Sequence, residues 1–251
     1  MVGDAIVVIK NTGRRRLEYF DARTSQFRGG LLMNWPAASL SAWKGSLAMG
    51  SLRLDSATSF ATWSDTTRLP RLGGVIPEMF RRLPLTAQPF GNLEVARDDS
   101  SVVQVFEVSN TVYRWNIACK SVDSVVLSVG RRRGAKPKVV EEIFRDPSKA
   151  ASLAFTWSFP MMLANVSDDR SLVVFNDPTL KGSVYEGPSY VQLVDWRRHA
   201  SCADIALPVP SEAVPRFAVR GDTLIAVVQR GDAVDGASSW IFRWRIGAGR
   251  C

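Results

Sequence analysis

"GDTLIAVV", Gly221 to Val228, reads almost as a copy of "GDAIVVIK", Gly3 to Lys10, at the far end of the chain. Each begins with a Gly-Asp turn and runs into an unbroken apolar stretch rich in β-branched residues. A short run of that kind, bounded by turn residues, predicts a strand covered on both faces. An alternating run follows each one: "RLEYFDA" after the first and "SSWIFRWRI" after the second. In the latter, Trp240, Phe242, Trp244 and Ile246 fall on one face, and Arg243 and Arg245 on the other. An apolar strand and an alternating strand, joined by a turn, form the unit.

The unit recurs. "SLAMGSL" from Ser46 precedes "ATSFATWS", "VVQVFEV" from Val102 precedes "TVYRWNIA", and "SLVVFND" from Ser171 precedes "SYVQLVDW". The five copies start about 40 to 70 residues apart. A further short strand ending in an acidic turn precedes the last three copies: "NLEVARDDSS", "MMLANVSDDRS" and "PRFAVRGDT". Closing strands follow at "VDSVVLS" and "CADIALPV". This pattern predicts an all-β chain, a β-propeller of four-stranded antiparallel blades. About five blades are expected in a single domain over residues 1–251. A β-sandwich would leave the period and the acidic turns unexplained. Two inserts, 73–90 and 131–160, interrupt the pattern, each with a short helical stretch (77–82 and 138–145). In the second, Val139, Val140, Ile143 and Phe144 make one apolar stripe.

Composition excludes several classes. The net charge of +8 comes mostly from Arg, placed in loop runs (Arg14 to Arg16, Arg131 to Arg133) or alternating along strands. No nucleic-acid motif accompanies it, so nucleic acid is not an expected partner. No apolar run reaches the ~18 residues of a membrane-spanning helix. The three cysteines, Cys119, Cys202 and Cys251, are too scattered for a zinc site. Equivalent positions in adjacent blades lie far apart, so no Cys119–Cys202 bond is expected. The lone histidine, His199, sits in a polar turn and has no partner pattern for nucleophilic catalysis. Asp98-Asp99, Asp168-Asp169 and Asp222 are read as hairpin-turn residues, because Asp bonds its own backbone there.

The order "VDSVVLSVGRRRGAKPKVVEEIF", then "SDDRSLVVF", then "PVPSEAVPRFAVRGDTLIAVVQ" to "WIFRWRI" resembles bacterial six-bladed β-propellers of the TolB-like and NHL-like kind. The resemblance implies a mostly exported family. It also implies that one blade's worth of strand and an export signal lie upstream of Met1, and a periplasmic or secreted home. With Met1 as the true start, the expected home is the cytoplasm. A ring that closes would be a monomer.

The function expected is non-catalytic binding of a protein, peptide or glycan on a loop-lined face. Arg131, Arg132, Arg133, Trp157 and Phe159 are the candidate contacts, and no cofactor is needed. The alternative is a calcium-dependent, lactonase-like hydrolase. It would hold calcium in a central channel through Asn92, Glu94 and Asn165.

Overall fold

The computed structural model describes residues 6–11, 16–32, 39–44, 46–53, 58–63, 70–77, 93–107, 109–117, 121–128, 130, 132–153, 156–181, 184–210, 215–230 and 238–247. They form an all-β protein of antiparallel sheets. Each expected apolar–alternating pair is a hydrogen-bonded pair within one sheet.

The first sheet is β1 (Ile6–Asn11), β2 (Arg16–Asp21) and β3 (Phe27–Leu32), paired in that order. The second is β4 (Ser39–Trp43), β5 (Ser46–Arg53), β6 (Thr58–Trp63) and β7 (Arg71–Gly73). Its opening strand was not foreseen, because "SLSAW" lacks the acidic turn that marks the others. The third comprises β8 (Leu93–Arg97), β9 (Ser101–Phe106), β10 (Thr111–Asn116) and β11 (Val122–Val126).

The fourth sheet starts with β12 (Phe159–Ser167) and β13 (Arg170–Asn176). A two-stranded ribbon, β14 (Thr179–Lys181) and β15 (Val184–Glu186), interrupts it before β16 (Ser189–Asp195). Short strands β17 (Ala200–Ser201) and β18 (Ile205–Leu207) both pair with β16. The fifth sheet is β19 (Arg216–Arg220), β20 (Thr223–Arg230) and β21 (Ser238–Arg245). It has no fourth strand among the described residues.

β5, β9 and β13 carry the core because both of their faces are covered, whereas in β20 Leu224, Ala226 and Val228 are buried and Ile225 and Val227 only partly so, short of the coverage expected for that run. All six residues of β9 are buried, as are Leu172 to Phe175 of β13. Backbone contacts divide the chain into two compact units, residues 1–104 with 113–123, and 105–112 with 124–251. In the first, Leu17, Tyr19, Leu47, Met49, Ala61 and Trp63 form one apolar cluster. In the second, Met162, Leu172, Val174, Val191, Leu207 and Leu224 form another. Opening strands of consecutive sheets meet within each unit: β8 lies against β4, and β12 against β19.

Of the acidic turns, that at Asp98 bonds its own backbone as expected, and that at Asp222 is held by side chains. The Asp98 carboxylate accepts the backbone N–H groups of Ser100 and Ser101 at 2.9 and 2.6 Å. Asp222 accepts from Thr223 Oγ1 at 3.2 Å and Arg245 Nε at 2.9 Å. The helix expected over 138–145 runs Pro137–Arg145, with proline at its start where no N–H is needed. Val140 and Ile143 of its stripe are buried. The helix expected over 77–82 lies outside the described residues beyond Pro77.

Candidate functional site

The insert after β11 is anchored from inside. Arg132 is 2 % exposed, and its Nη2 donates to the backbone carbonyls of Glu107 at 3.4 Å and Ser109 at 2.5 Å. The guanidinium carbon lies 5.7 Å from the centre of the Phe175 ring. Burial pulls the Arg132 pKa down to about 10, against the opposing pull of Glu107 and Asp204. Arg132 Nε and Nη1 have no hydrogen-bond partner among the described residues. Trp157 is wholly buried and donates its indole N–H to Glu107 Oε1 at 3.0 Å. Arg133 continues the joint: Nε meets Asp177 Oδ1 at 2.6 Å, and Nη2 the Pro178 carbonyl at 2.9 Å. Ser158 Oγ donates to the same Asp177 oxygen at 2.9 Å.

These placements separate the candidate contacts. Arg132 and Trp157 clamp the insert to the end of β9 and do not face solvent. Arg133 and Phe159 are partly exposed. Arg131 lies outside the described residues. Glu107, a carboxylate just past the end of β9, is not singled out by the sequence, although its position in "VFEV" is the available signal.

The alternative metal set is not assembled among the described residues. Asn92 lies outside them, and Glu94 is described only as backbone in β8. Asn165 Oδ1 accepts from Ser171 Oγ at 2.9 Å, and that hydroxyl accepts the Trp196 indole N–H at 2.8 Å. No cluster of three or more metal-ligating His, Cys, Asp or Glu occurs among the described residues. His199 is exposed, at φ 48° in the turn after β16.

Cys202 is disulfide-bonded. Cys119 and Cys251 lie outside the described residues, so the expectation about the Cys119–Cys202 pair is not addressed by them. No helix among the described residues is long and apolar enough to cross a membrane.

β21 presents an exposed surface with recognition chemistry. Ser238 to Ile241 are all exposed, with Trp240 at 44 % and Ile241 at 59 %. The ladder places Trp240, Phe242 and Trp244 opposite Val228, Ala226 and Leu224. The three rings form a continuous stripe, with centroids 6.4 and 5.9 Å apart and the second pair stacked at 5°. Arg243 and Arg245 project from the other face. Among the described residues β21 pairs with β20 and with no other strand.

Beside β21, three adjoining hollows lie in the second unit. An apolar cavity of about 380 Å3 is lined chiefly by Leu172, Val191, Leu193, Leu207, Leu224 and Trp244. It shares Arg245, Ile246 and Gly247 with a hollow of about 600 Å3 that also meets Arg170 and Asp222. A third, of about 250 Å3, is polar and is lined by Ser167, Asp169, Arg170, Asp195, Arg197 and Arg198.

Fold and surface together define an all-β protein of repeated antiparallel sheets with an exposed aromatic–arginine strand. Its solved structural likenesses include the hydrazine synthase of Kuenenia stuttgartiensis, at TM-score 0.55 and 10 % identity, over 97 % of this chain and 60 % of that one. Another is a "Putative exported protein" of Bacteroides fragilis, at TM-score 0.50 and 10 % identity, over 90 % of this chain and 64 % of that one. This chain spans less than two thirds of either. At such identity the likeness concerns fold alone. No protein-family model and no curated protein sequence matches the chain.

Proposed function

We propose that this chain is a β-propeller-type binding protein, of the TolB-like and NHL-like kind, without catalysis of its own. It takes an extended segment of a partner protein onto the outer edge of β21. Four features support the propeller reading: five repeated antiparallel sheets, the strand order within each, the contact of β8 with β4, and the contact of β12 with β19. The disulfide at Cys202 fits an oxidising compartment and therefore an exported protein.

The observation that carries the binding reading is the edge of β21. It is eight residues long, against six for β3, three for β7 and five for β11. An edge of that length with exposed aromatics is a template for strand addition. Backbone hydrogen bonds would supply affinity, and the alternating faces would supply selectivity. Arg243 and Arg245 choose the partner's charge. A second copy would bring like charges together, whereas a strand alternating apolar and acidic residues would neutralise them. No specific observation favours the calcium-dependent hydrolase.

The test uses a fluorescent peptide of about ten residues alternating valine and glutamate, read by anisotropy. Trp240→Ser and Ile241→Lys should each weaken binding about fivefold or more, and a valine–lysine peptide should not bind. Equal binding of both peptides, or no effect of either substitution, would remove the reading.

A further inference from the structure

We infer that the apolar cavity under Trp244 is a site for a small amphipathic carboxylate, with its tail among the leucines and its head on Arg170. Trp244 and Arg245 of β21 border this site, but it lies under that strand and does not rest on the peptide reading.

Strand register builds the site. In β13, Arg170, Leu172 and Val174 alternate onto one face; across the ladder stand Asp195, Leu193 and Val191 of β16. β18 extends that face with Ile205 and Leu207, opposite Val191 and Ser189. One sheet face therefore runs from apolar at Val174, Val191 and Leu207 to charged at Arg170. Leu224 and Trp244 of the fifth sheet, with Ile246 just past it, also line the cavity. A cavity of about 380 Å3 falls within the range of small-molecule sites, roughly 300–1,000 Å3, which are mostly apolar with a few placed polar groups.

The charges at the mouth decide which head group fits. Three carboxylates stand there, and each is engaged. Asp169 meets Arg197 at 2.6 Å, and Asp222 meets Arg245 at 2.9 Å. Asp195 accepts the Arg198 backbone N–H at 3.1 Å. The Arg170 side chain is half-buried, lines the two hollows next to the apolar cavity, of which the smaller is polar, and has no hydrogen-bond or ion-pair partner among the described residues. Asp195, its neighbour across the ladder, does not reach it. A guanidinium held in place without a partner beside an apolar chamber suits a planar carboxylate, which it can meet with two parallel hydrogen bonds. An ammonium head would meet the Arg170 charge unfavourably, and an uncharged head would leave it unmet.

The experiment is calorimetric titration of the whole chain with decanoate, decanol and decylamine, each below its micelle concentration. Decanoate should bind, with decanol about tenfold weaker and decylamine undetectable. Arg170→Ala should reduce decanoate affinity about tenfold and leave decanol unchanged; Arg170→Lys should recover part of the loss. Leu207→Trp fills the chamber and should abolish decanoate and decanol binding alike. Should that variant unfold, the Arg170 pair still decides. No decanoate binding by the wild type, equal binding by Arg170→Ala, or decylamine binding as tight as decanoate would overturn the assignment. Arg170→Ala should leave the valine–glutamate peptide at β21 unaffected, so failure of one site is distinguishable from failure of the other.

Discussion

Replacing Arg132 with alanine tests whether "GRRRG" is a recognition loop or a structural clamp. The side chain is 2 % exposed, bonds two backbone carbonyls, and lies over Phe175. Hydrogen bonds from a charged donor contribute about 1.5–3 kcal/mol each, although the 3.4 Å bond is at the weak end. The cation–π contact adds about 1–2 kcal/mol where it is desolvated. Against these stands the cost of burying Nε and Nη1 without partners. Removing one member of a buried charged group costs about 3–5 kcal/mol; the two unpartnered nitrogens place this case near 3 kcal/mol. At this chain length that is a fall in melting temperature of roughly 6–12 °C. Arg132→Met keeps the packed stem and leaves no buried cation, so it should cost less, about 1–2 kcal/mol. Arg132→Lys should not rescue, because an ammonium lacks the planar fork. Urea unfolding followed by near-ultraviolet dichroism gives the global value. Hydrogen exchange at the Ser158 amide, which donates to the Arg133 carbonyl at 2.8 Å, gives the local one. A change under 0.5 kcal/mol with unaltered Ser158 exchange would refute the clamp.

Four further outcomes are expected. The Asp21 carboxylate accepts from Arg28 at 2.8 Å and from the Thr24 and Arg23 amides, and these bonds hold its pKa well below the usual carboxylate range. Its contribution is therefore full above the unfolded value, near 4, and lost as pH falls through the lower folded value, so the stability gap to Asp21→Asn should close on acidification below about pH 4. Gly74 has φ +73°, and a Cβ there would strike Ser59 Oγ, whereas Gly221 has φ +59° and open space. Gly74→Ala should thus cost about 2–3 kcal/mol and Gly221→Ala about 1 kcal/mol in urea melts; equal costs would contradict the steric argument. With one disulfide and three cysteines, thiol titration of the native chain should find one free thiol, and reduction should lower the melting temperature. Millimolar calcium should leave that temperature unchanged; a rise would revive the metal reading of Asn92, Glu94 and Asn165.

The sequence by itself determined the strands, because their signals are local. Gly221-Asp222 specifies a turn, the following apolar run a strand, and "WIFRWRI" an alternating one, although Ile225 and Val227 of that apolar run are only partly buried. The five apolar–alternating pairs, the helix at Pro137 and the turn role of Asp98 were legible for that reason. The missed opening strand, Ser39–Trp43, has none of those local marks. Tertiary structure alone decided what the arginines do. Arg131 to Arg133 read as one basic run, yet Arg132 is buried under Phe175 while Arg133 reaches Asp177. Arg170 reads as one more turn residue after Asp168-Asp169. Its place in the hollows that adjoin the apolar cavity depends on strand register and on the fifth sheet, whose Leu224 and Trp244 are more than fifty residues away in the chain. Burial and charge pairing are set by distant neighbours, and local pattern carries no record of which neighbours those are.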